Sequence, residues 1–287
     1  MSWDGLARKT AVIGVGAQKA GTSWLYGCLA GSPEVAASSI TEQHYLDAWL
    51  HPERFGEFHR WFVRRLKSEM DRDVDAVTTR ALGRDLVDRV RAIHHPDGYL
   101  DHFARLMGPG KLAFLDVTPS YALLSADSLS TMKRFLERAG VCVKIVFVMR
   151  DPIRRHHSAL RMAARDQAAA GRRFVAAENF EACLDDPAYR DRGRYDWTVR
   201  NLERVFRRDQ IFYGFYETLF ERRALRRLTD FIGLSPVEAD FSRRRNVSPP
   251  DGDLTAGQVD AARRAFQPVY AFCRQRFADE VPSSWHA

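Results

Sequence analysis

Gly16-Ala-Gln-Lys-Ala-Gly-Thr-Ser-Trp-Leu-Tyr26 places a lysine, a glycine and two adjacent hydroxyls directly after an apolar run, Thr10 to Val15. A glycine-containing turn between a strand and a helix lets backbone N–H groups approach an anion. The helix N-terminus adds partial positive charge and the lysine a full one. Residue order narrows the ligand. A Walker A loop needs Gly-Lys-Ser/Thr, whereas here Lys19 precedes Gly21, and Thr22 and Ser23 follow. A dinucleotide fingerprint that starts at Gly14 and Gly16 would need glycine where Lys19 stands. The reading left is a nucleotide phosphate held by Lys19, the amides around Gly21, and the hydroxyls of Thr22 and Ser23. The bland alternative is a turn whose lysine faces water.

A second segment carries anion chemistry. Val141 to Met149 is almost continuously apolar, as a buried parallel strand should be, and Arg150 ends it. Asp151-Pro152 then starts a helix, with aspartate as N-cap and proline at the first helical position. Ser158 lies two turns past the cap, nearly above it, with Arg154 one turn below. An arginine at the strand end and a serine on the next helix can close on one phosphate, which suits the planar donor fork of arginine. Taken singly, Arg150 also reads as a surface charge and Ser158 as part of a solvated helix face.

The first loop resembles the 5′-phosphosulfate loop, QK-[AST]-GT-[ST], of sulfotransferases that use 3′-phosphoadenosine 5′-phosphosulfate (PAPS). Arg150-Asp-Pro-Ile-Arg-Arg-His-His-Ser158 resembles their 3′-phosphate motif, R-[DN]-P-x-x-R-x-x-S. The resemblance implies a P-loop-NTPase-like sulfotransferase fold with PAPS as cofactor. Gln18, Lys19, Ala20, Gly21, Thr22, Ser23 and Trp24 would surround its 5′ end, and Arg150 and Ser158 its 3′-phosphate. Thr41-Glu-Gln-His-Tyr-Leu-Asp47 resembles the K-E-x-H-[FY]-F-D segment of the glycosaminoglycan-type N- and O-sulfotransferase branch. That likeness implies Glu42 as catalytic base, with His44 as rival base or hydrogen-bond partner; Thr41 replaces the lysine. Thr118-Pro-Ser-Tyr121 is similar to a T-P-x-Y segment of the same branch. Gly193-Arg-Tyr195 resembles a G-x-Y segment, which adds Tyr195 to the cofactor set. Arg244 and Arg245 are candidates to cover the 3′-phosphate, against a solvated basic loop.

Sulfuryl transfer requires removal of the acceptor's proton, neutralisation of charge growing on the leaving phosphate, and in-line positioning. No metal is required. Lys19 is the candidate for the leaving group, and His156 and His157 read as structural. The expected partners are the nucleotide and a hydroxyl- or amine-bearing acceptor, a glycan or a small molecule. Two rivals stand beside this reading. One is a P-loop small-molecule kinase, with Asp116 as its Mg²⁺ carboxylate. The other is a PAPS-binding module without turnover, which the missing lysine at Thr41 keeps in play.

Strands read at 10–16, 112–115, 141–149 and 211–216 alternate with helices at 22–30, 128–139, 194–207 and 217–232, plus a last helix opened by the capping box Thr255-x-x-Gln258. This alternation predicts one α/β domain over residues 1–287, a parallel sheet flanked by helices. Both anion motifs then fall at the carboxyl ends of strands, where such sheets bind ligands. Residues 50–110 read as a helical insertion on the substrate side. Phe55, Phe58 and Phe62 are spaced for a core, and a mobile loop is expected around 72–84.

The chain of 287 residues carries a formal charge of +7, with 38 arginines and only six lysines. Such a skew discounts arginine clusters and makes Lys19 the more selective choice. The charge suits an anionic cofactor and gives no ground for nucleic acid as partner. Cys28, Cys142, Cys183 and Cys273 show no zinc spacing, and Cys28 and Cys142 read as small core residues. With no signal-peptide layout and no apolar run of membrane length, a cytoplasmic protein is expected.

Overall fold

A computed structural model describes residues 3–241 and 253–285. Five parallel strands, β1 (Thr10–Gly16), β2 (Val35–Ala37), β3 (Ala113–Val117), β4 (Cys142–Met149) and β5 (Ile211–Phe215), form one sheet in the order β2-β3-β1-β4-β5. β1 is central, paired Thr10↔Ala113 with β3 and Thr10↔Cys142 with β4. Its residues from Ala11 to Gly16 are buried, which explains the unbroken apolar run. Gly14 is required by close packing: a Cβ there would lie 2.8 Å from Val117 Cγ1 on β3.

Helices flank the sheet. Thr22–Ala30 follows β1, Pro152–Ala169 follows β4, and Arg222–Ile232 follows β5 after a short turn of helix, Tyr216–Leu219. The Thr255–Gln258 capping box forms with both of its hydrogen bonds, and the Ala256–Phe277 helix runs on through Pro268. That helix is tied to the sheet's ligand end by the Tyr270 hydroxyl, which donates to Asp151 Oδ2 at 2.7 Å. The chain leaves β1 for the β2–β3 side and returns to β4 on the other side. The carboxyl ends of β3, β1 and β4 therefore flank a switch in strand order, where a crevice opens.

Several local expectations need correction. The stretch around 72–84 contains helices Val74–Thr79 and Ala81–Arg91 rather than a long loop. β2 was absent from the sequence reading because three small residues, Val-Ala-Ala, carry no periodicity. Cys142 is exposed at the start of β4, and Cys28 is half-buried; all four cysteines are free. No helix among the described residues is long and apolar enough to cross a membrane.

Candidate active site

The turn after β1 is shaped by backbone geometry. Gly21 caps the Thr22–Ala30 helix in the left-handed region at φ 82°, and Lys19 also has positive φ, 69°. A side chain at position 21 would be strained and would meet Leu219 Cδ2 at 2.8 Å. The turn thus packs tightly against the segment after β5. The first N–H groups of the helix have no intrahelical acceptor by geometry, and they open toward the crevice beside Lys19.

After β4, Asp151 accepts from the Arg154 backbone N–H at 2.9 Å and caps the Pro152–Ala169 helix. Arg150 crosses to the other motif: its Nη1 donates to the Lys19 carbonyl at 2.9 Å, and its guanidinium carbon lies 4.3 Å from the Tyr216 ring centroid. Its Nε is buried without a protein partner. Ser158 is buried on the same helix and reaches the crevice, whereas Arg154 is exposed and turns away from it.

A cavity of about 470 Å³ occupies the crevice. Gln18, Lys19, Gly21, Thr22, Ser23 and Trp24 line it from the β1 turn, Arg150 and Ser158 from the β4 side, and Glu42 and His44 from the opposite wall. Three further arginines, Arg161, Arg165 and Arg192, complete five cations against a single carboxylate, Glu42. The donor set suits a ligand with several phosphate groups. Burial, then the charges of Arg165, Arg150 and Arg161, hold the Lys19 ammonium below its ordinary pKa. Crowded like charges of this kind are relieved when an anion arrives.

Glu42 sits at the end of a side-chain chain. Its Oε2 lies 3.3 Å from His44 Nε2, and His44 Nδ1 lies 2.9 Å from Asp47 Oδ2 and 3.1 Å from the Ser120 hydroxyl. Asp47 is fully buried, and the His44 ring stacks on Phe58 with centroids 3.5 Å apart. Burial acts to lower the His44 pKa, but the hydrogen bonds to Asp47 and Glu42 outweigh it and hold it above its ordinary value. Both ring nitrogens are engaged, so Glu42 is the member of the chain that meets the cavity with an oxygen to spare.

The loop bearing Glu42 is held from two sides. Thr118 Oγ1 accepts from the Gln43 N–H at 3.0 Å and donates to Asp116 at 2.7 Å. From the helical region, Arg89 donates to the Gln43 carbonyl through Nε and to the His44 carbonyl through an Nη, both at 2.6 Å. Arg89 is 3% exposed, and burial lowers its pKa to about 10, which leaves it charged at neutral pH. Its guanidinium also faces Phe62 at 4.5 Å.

The remaining expectations fall outside the cavity. Ala20 is buried in the turn and lines nothing. Tyr195 is fully buried beneath the site, where its hydroxyl donates to the Arg150 carbonyl at 2.7 Å; it orients the arginine and does not face the ligand space. Asp116 accepts from Tyr99, Tyr121 and Thr118, all within 2.9 Å, and has no access to the cavity. His156 is buried and bonds the Phe180 carbonyl. Arg244 and Arg245 lie outside the described residues. The sequence reading missed Arg161 and Arg165, although they sit three and seven residues past Ser158 on the same helix face. It missed Arg89, Arg192 and Phe58 as site elements altogether.

No protein-family model matches the chain, and no curated protein does. Solved structures do match. A sulfotransferase from Alicyclobacillus acidocaldarius is similar over 98% of this chain and 99% of its own, with a TM-score of 0.64 at 18% identity. Sulfotransferase STF9 of Mycobacterium avium is similar over 95% of this chain and 77% of its own, with a TM-score of 0.47 at 16% identity. Mouse sulfotransferase SULT7A1, solved as a complex with PAP, is similar over 96% of this chain and 88% of its own, with a TM-score of 0.47 at 13% identity. The first of these, which extends over nearly the whole of both chains, shows that the protein has the sulfotransferase fold.

Proposed function

We propose that the protein transfers a sulfuryl group from PAPS to a hydroxyl or amine and releases adenosine 3′,5′-bisphosphate. The observation that carries this reading is the placement of Lys19, Arg150 and Ser158 on one side of a single cavity and Glu42 on the other. PAPS supplies an activated sulfuryl group on its 5′-phosphate. The bond to the leaving phosphate breaks with its electron pair, the acceptor lone pair forms the new bond to sulfur, and the acceptor proton goes to Glu42.

Each residue's task follows from its place. Lys19 and the helix N-terminus meet the charge that grows on the departing phosphate. Arg150 holds the Lys19 carbonyl with one nitrogen, and its buried unpartnered Nε fits a 3′-phosphate oxygen. Ser158 adds a hydroxyl donor beside it. His44, fixed by Asp47 and Ser120, holds the Glu42 carboxylate in place and shares its proton. A kinase reading lacks support, since Asp116 spends its oxygens on three protein hydroxyls. Four free thiols accord with a cytoplasmic setting.

Titration calorimetry with adenosine 3′,5′-bisphosphate and with ATP, followed by transfer assays with ³⁵S-labelled PAPS, tests the proposal. Micromolar binding of the bisphosphate, at least tenfold tighter than ATP, is expected. Binding without transfer to any acceptor in a broad panel would point to a non-catalytic nucleotide-binding module, and preference for ATP would end the sulfotransferase reading.

A further inference from the structure

On the far side of Glu42 a second cavity of about 360 Å³ opens, and it shares Glu42, His44 and Phe58 with the first. We infer that this second cavity is the acceptor site and that it takes a flat, apolar ring system bearing a hydroxyl, not a sugar or a polyanion. The inference rests on the proposed sulfuryl transfer.

Three side chains on one face of the Glu57–Arg72 helix, Phe58, Trp61 and Arg65, form one wall at the i, i+3, i+7 spacing, and Ile40 and Thr41 form the other. Trp61 is 44% exposed, and it packs edge-on against Phe62 at 4.8 Å. An exposed indole beside a stacked Phe58–His44 pair offers flat apolar surface next to the proposed base.

The lining surface is mostly apolar, and of its polar side chains, Thr41, Glu42, His44, Glu57 and Arg65, His44 has both ring nitrogens engaged. None of the five cations of the first cavity reaches this one; beside the His44 ring, Arg65 is the cation in its lining, and its guanidinium lies 5.2 Å from the Trp61 ring centroid. The Glu57 carboxylate is already held by Arg60 Nε at 2.7 Å and by Arg64 at 2.6 Å. A sugar needs several convergent donors and acceptors, and a polyanion needs several cations. Thr41 and Arg65 fall short of either set, whereas the ring contacts and the Glu42 carboxylate suit a flat ring that bears one hydroxyl.

The test compares 2-naphthol with N-acetylglucosamine. Bisphosphate binding is measured first by calorimetry, and binding of each probe to the bisphosphate-loaded protein is then followed by quenching of tryptophan fluorescence and by calorimetry. Sulfate transfer from ³⁵S-labelled PAPS to each probe completes the set. Naphthol is expected to bind the loaded protein and to be sulfated with kcat/KM at least tenfold above the sugar. Trp61→Ala should weaken naphthol binding at least fivefold, and Trp61→Phe should restore most of it. If the bisphosphate binds but the sugar is preferred, or if Trp61→Ala leaves naphthol binding intact, the acceptor assignment is overturned while the sulfotransferase proposal stands. If the bisphosphate itself does not bind, both fall.

Discussion

The Arg150 guanidinium donates a 2.9 Å hydrogen bond to the carbonyl of Lys19, so the residue that ends β4 fixes the turn that follows β1. The two segments proposed to bind the nucleotide, more than a hundred residues apart in sequence, are therefore joined directly. A charged donor bonded to a carbonyl contributes about 1.5–3 kcal/mol. Arg150→Ala should lose both this bond and the contact to the 3′-phosphate. We expect affinity for adenosine 3′,5′-bisphosphate to fall about tenfold to a hundredfold by calorimetry. Arg150→Lys keeps the charge but not the fork, and should recover only part of the loss. Unchanged affinity in both variants would remove Arg150 from the site.

Lys19 carries a conflict between stability and function. Burial and three neighbouring guanidiniums lower its pKa. A lysine whose folded pKa lies below its unfolded value makes the charged folded state less stable, and this penalty fades as pH rises through the lowered value. Lys19→Met removes the charge and keeps the stem. Transfer should fall by about a hundredfold to a thousandfold, as when one transition-state donor is lost. The melting temperature of the free protein should rise by about 1–3 °C at neutral pH. A stabilised but active variant would refute the role given to Lys19, and a destabilised one would show that its charge is not crowded in the fold.

Whether a residue's place can be read from the sequence depends on what kind of contact it makes. Lys19, Gly21, Thr22, Arg150 and Ser158 belong to strand–turn–helix units, in which local spacing determines where a side chain points, so their place beside one crevice was legible. So was the capping of the last helix by Thr255 and Gln258. Arg89 was not legible. It lies in an arginine-rich helical stretch, and its value comes from reaching the carbonyls of Gln43 and His44 across 45 or so positions. Arg161 and Arg165 had the right helical spacing from Ser158, but 38 arginines in the chain made any single one uninformative. Tyr195 shows the reverse error: its motif identified a residue near the site, while the structure places its hydroxyl on a backbone carbonyl.

Arg89 yields a prediction that separates positioning from binding. It is the clamp on a turn whose His44 has a positive φ of 44°, a conformation that a non-glycine residue holds only when its surroundings insist. Arg89→Lys keeps the charge but loses the planar fork whose Nε and Nη reach the two carbonyls. We expect kcat to fall by about tenfold, because small displacements of a base are costly. The bisphosphate affinity should stay within twofold of the parent, since Arg89 does not line the cavity proposed to hold the nucleotide. Arg89→Ala should destabilise the fold by about 2–4 kcal/mol, with two charge-assisted bonds lost and the carbonyls left buried. Urea unfolding and steady-state kinetics on the two variants read the two effects independently. An equal loss in kcat and in nucleotide affinity would show that Arg89 acts on the whole site and not on the Glu42 turn.

His44 gives the clearest pH dependence. Burial alone would lower its pKa, yet the bonds to Asp47 and Glu42 leave it raised, so the imidazolium is favoured in the folded state. A histidine with a raised folded pKa contributes stability that is fully present below its unfolded value, near 6.5, and is lost as pH rises through the folded value. His44→Gln keeps a polar side chain but does not titrate. The difference in melting temperature between parent and variant should therefore be largest below pH 6.5 and shrink toward alkaline pH. The His44 Cε1 proton, followed by NMR, should titrate with a midpoint above 6.5. The ring is also the link between Glu42 and buried Asp47, so its deprotonation frees a nitrogen that can take the proton from Glu42 after transfer. Activity should accordingly survive, and need not fall, as pH passes through the His44 midpoint, while the stability difference closes. A gap in melting temperature that widened with pH would mean that the ring is held neutral in the fold and that the Glu42–His44–Asp47 chain carries no shared charge.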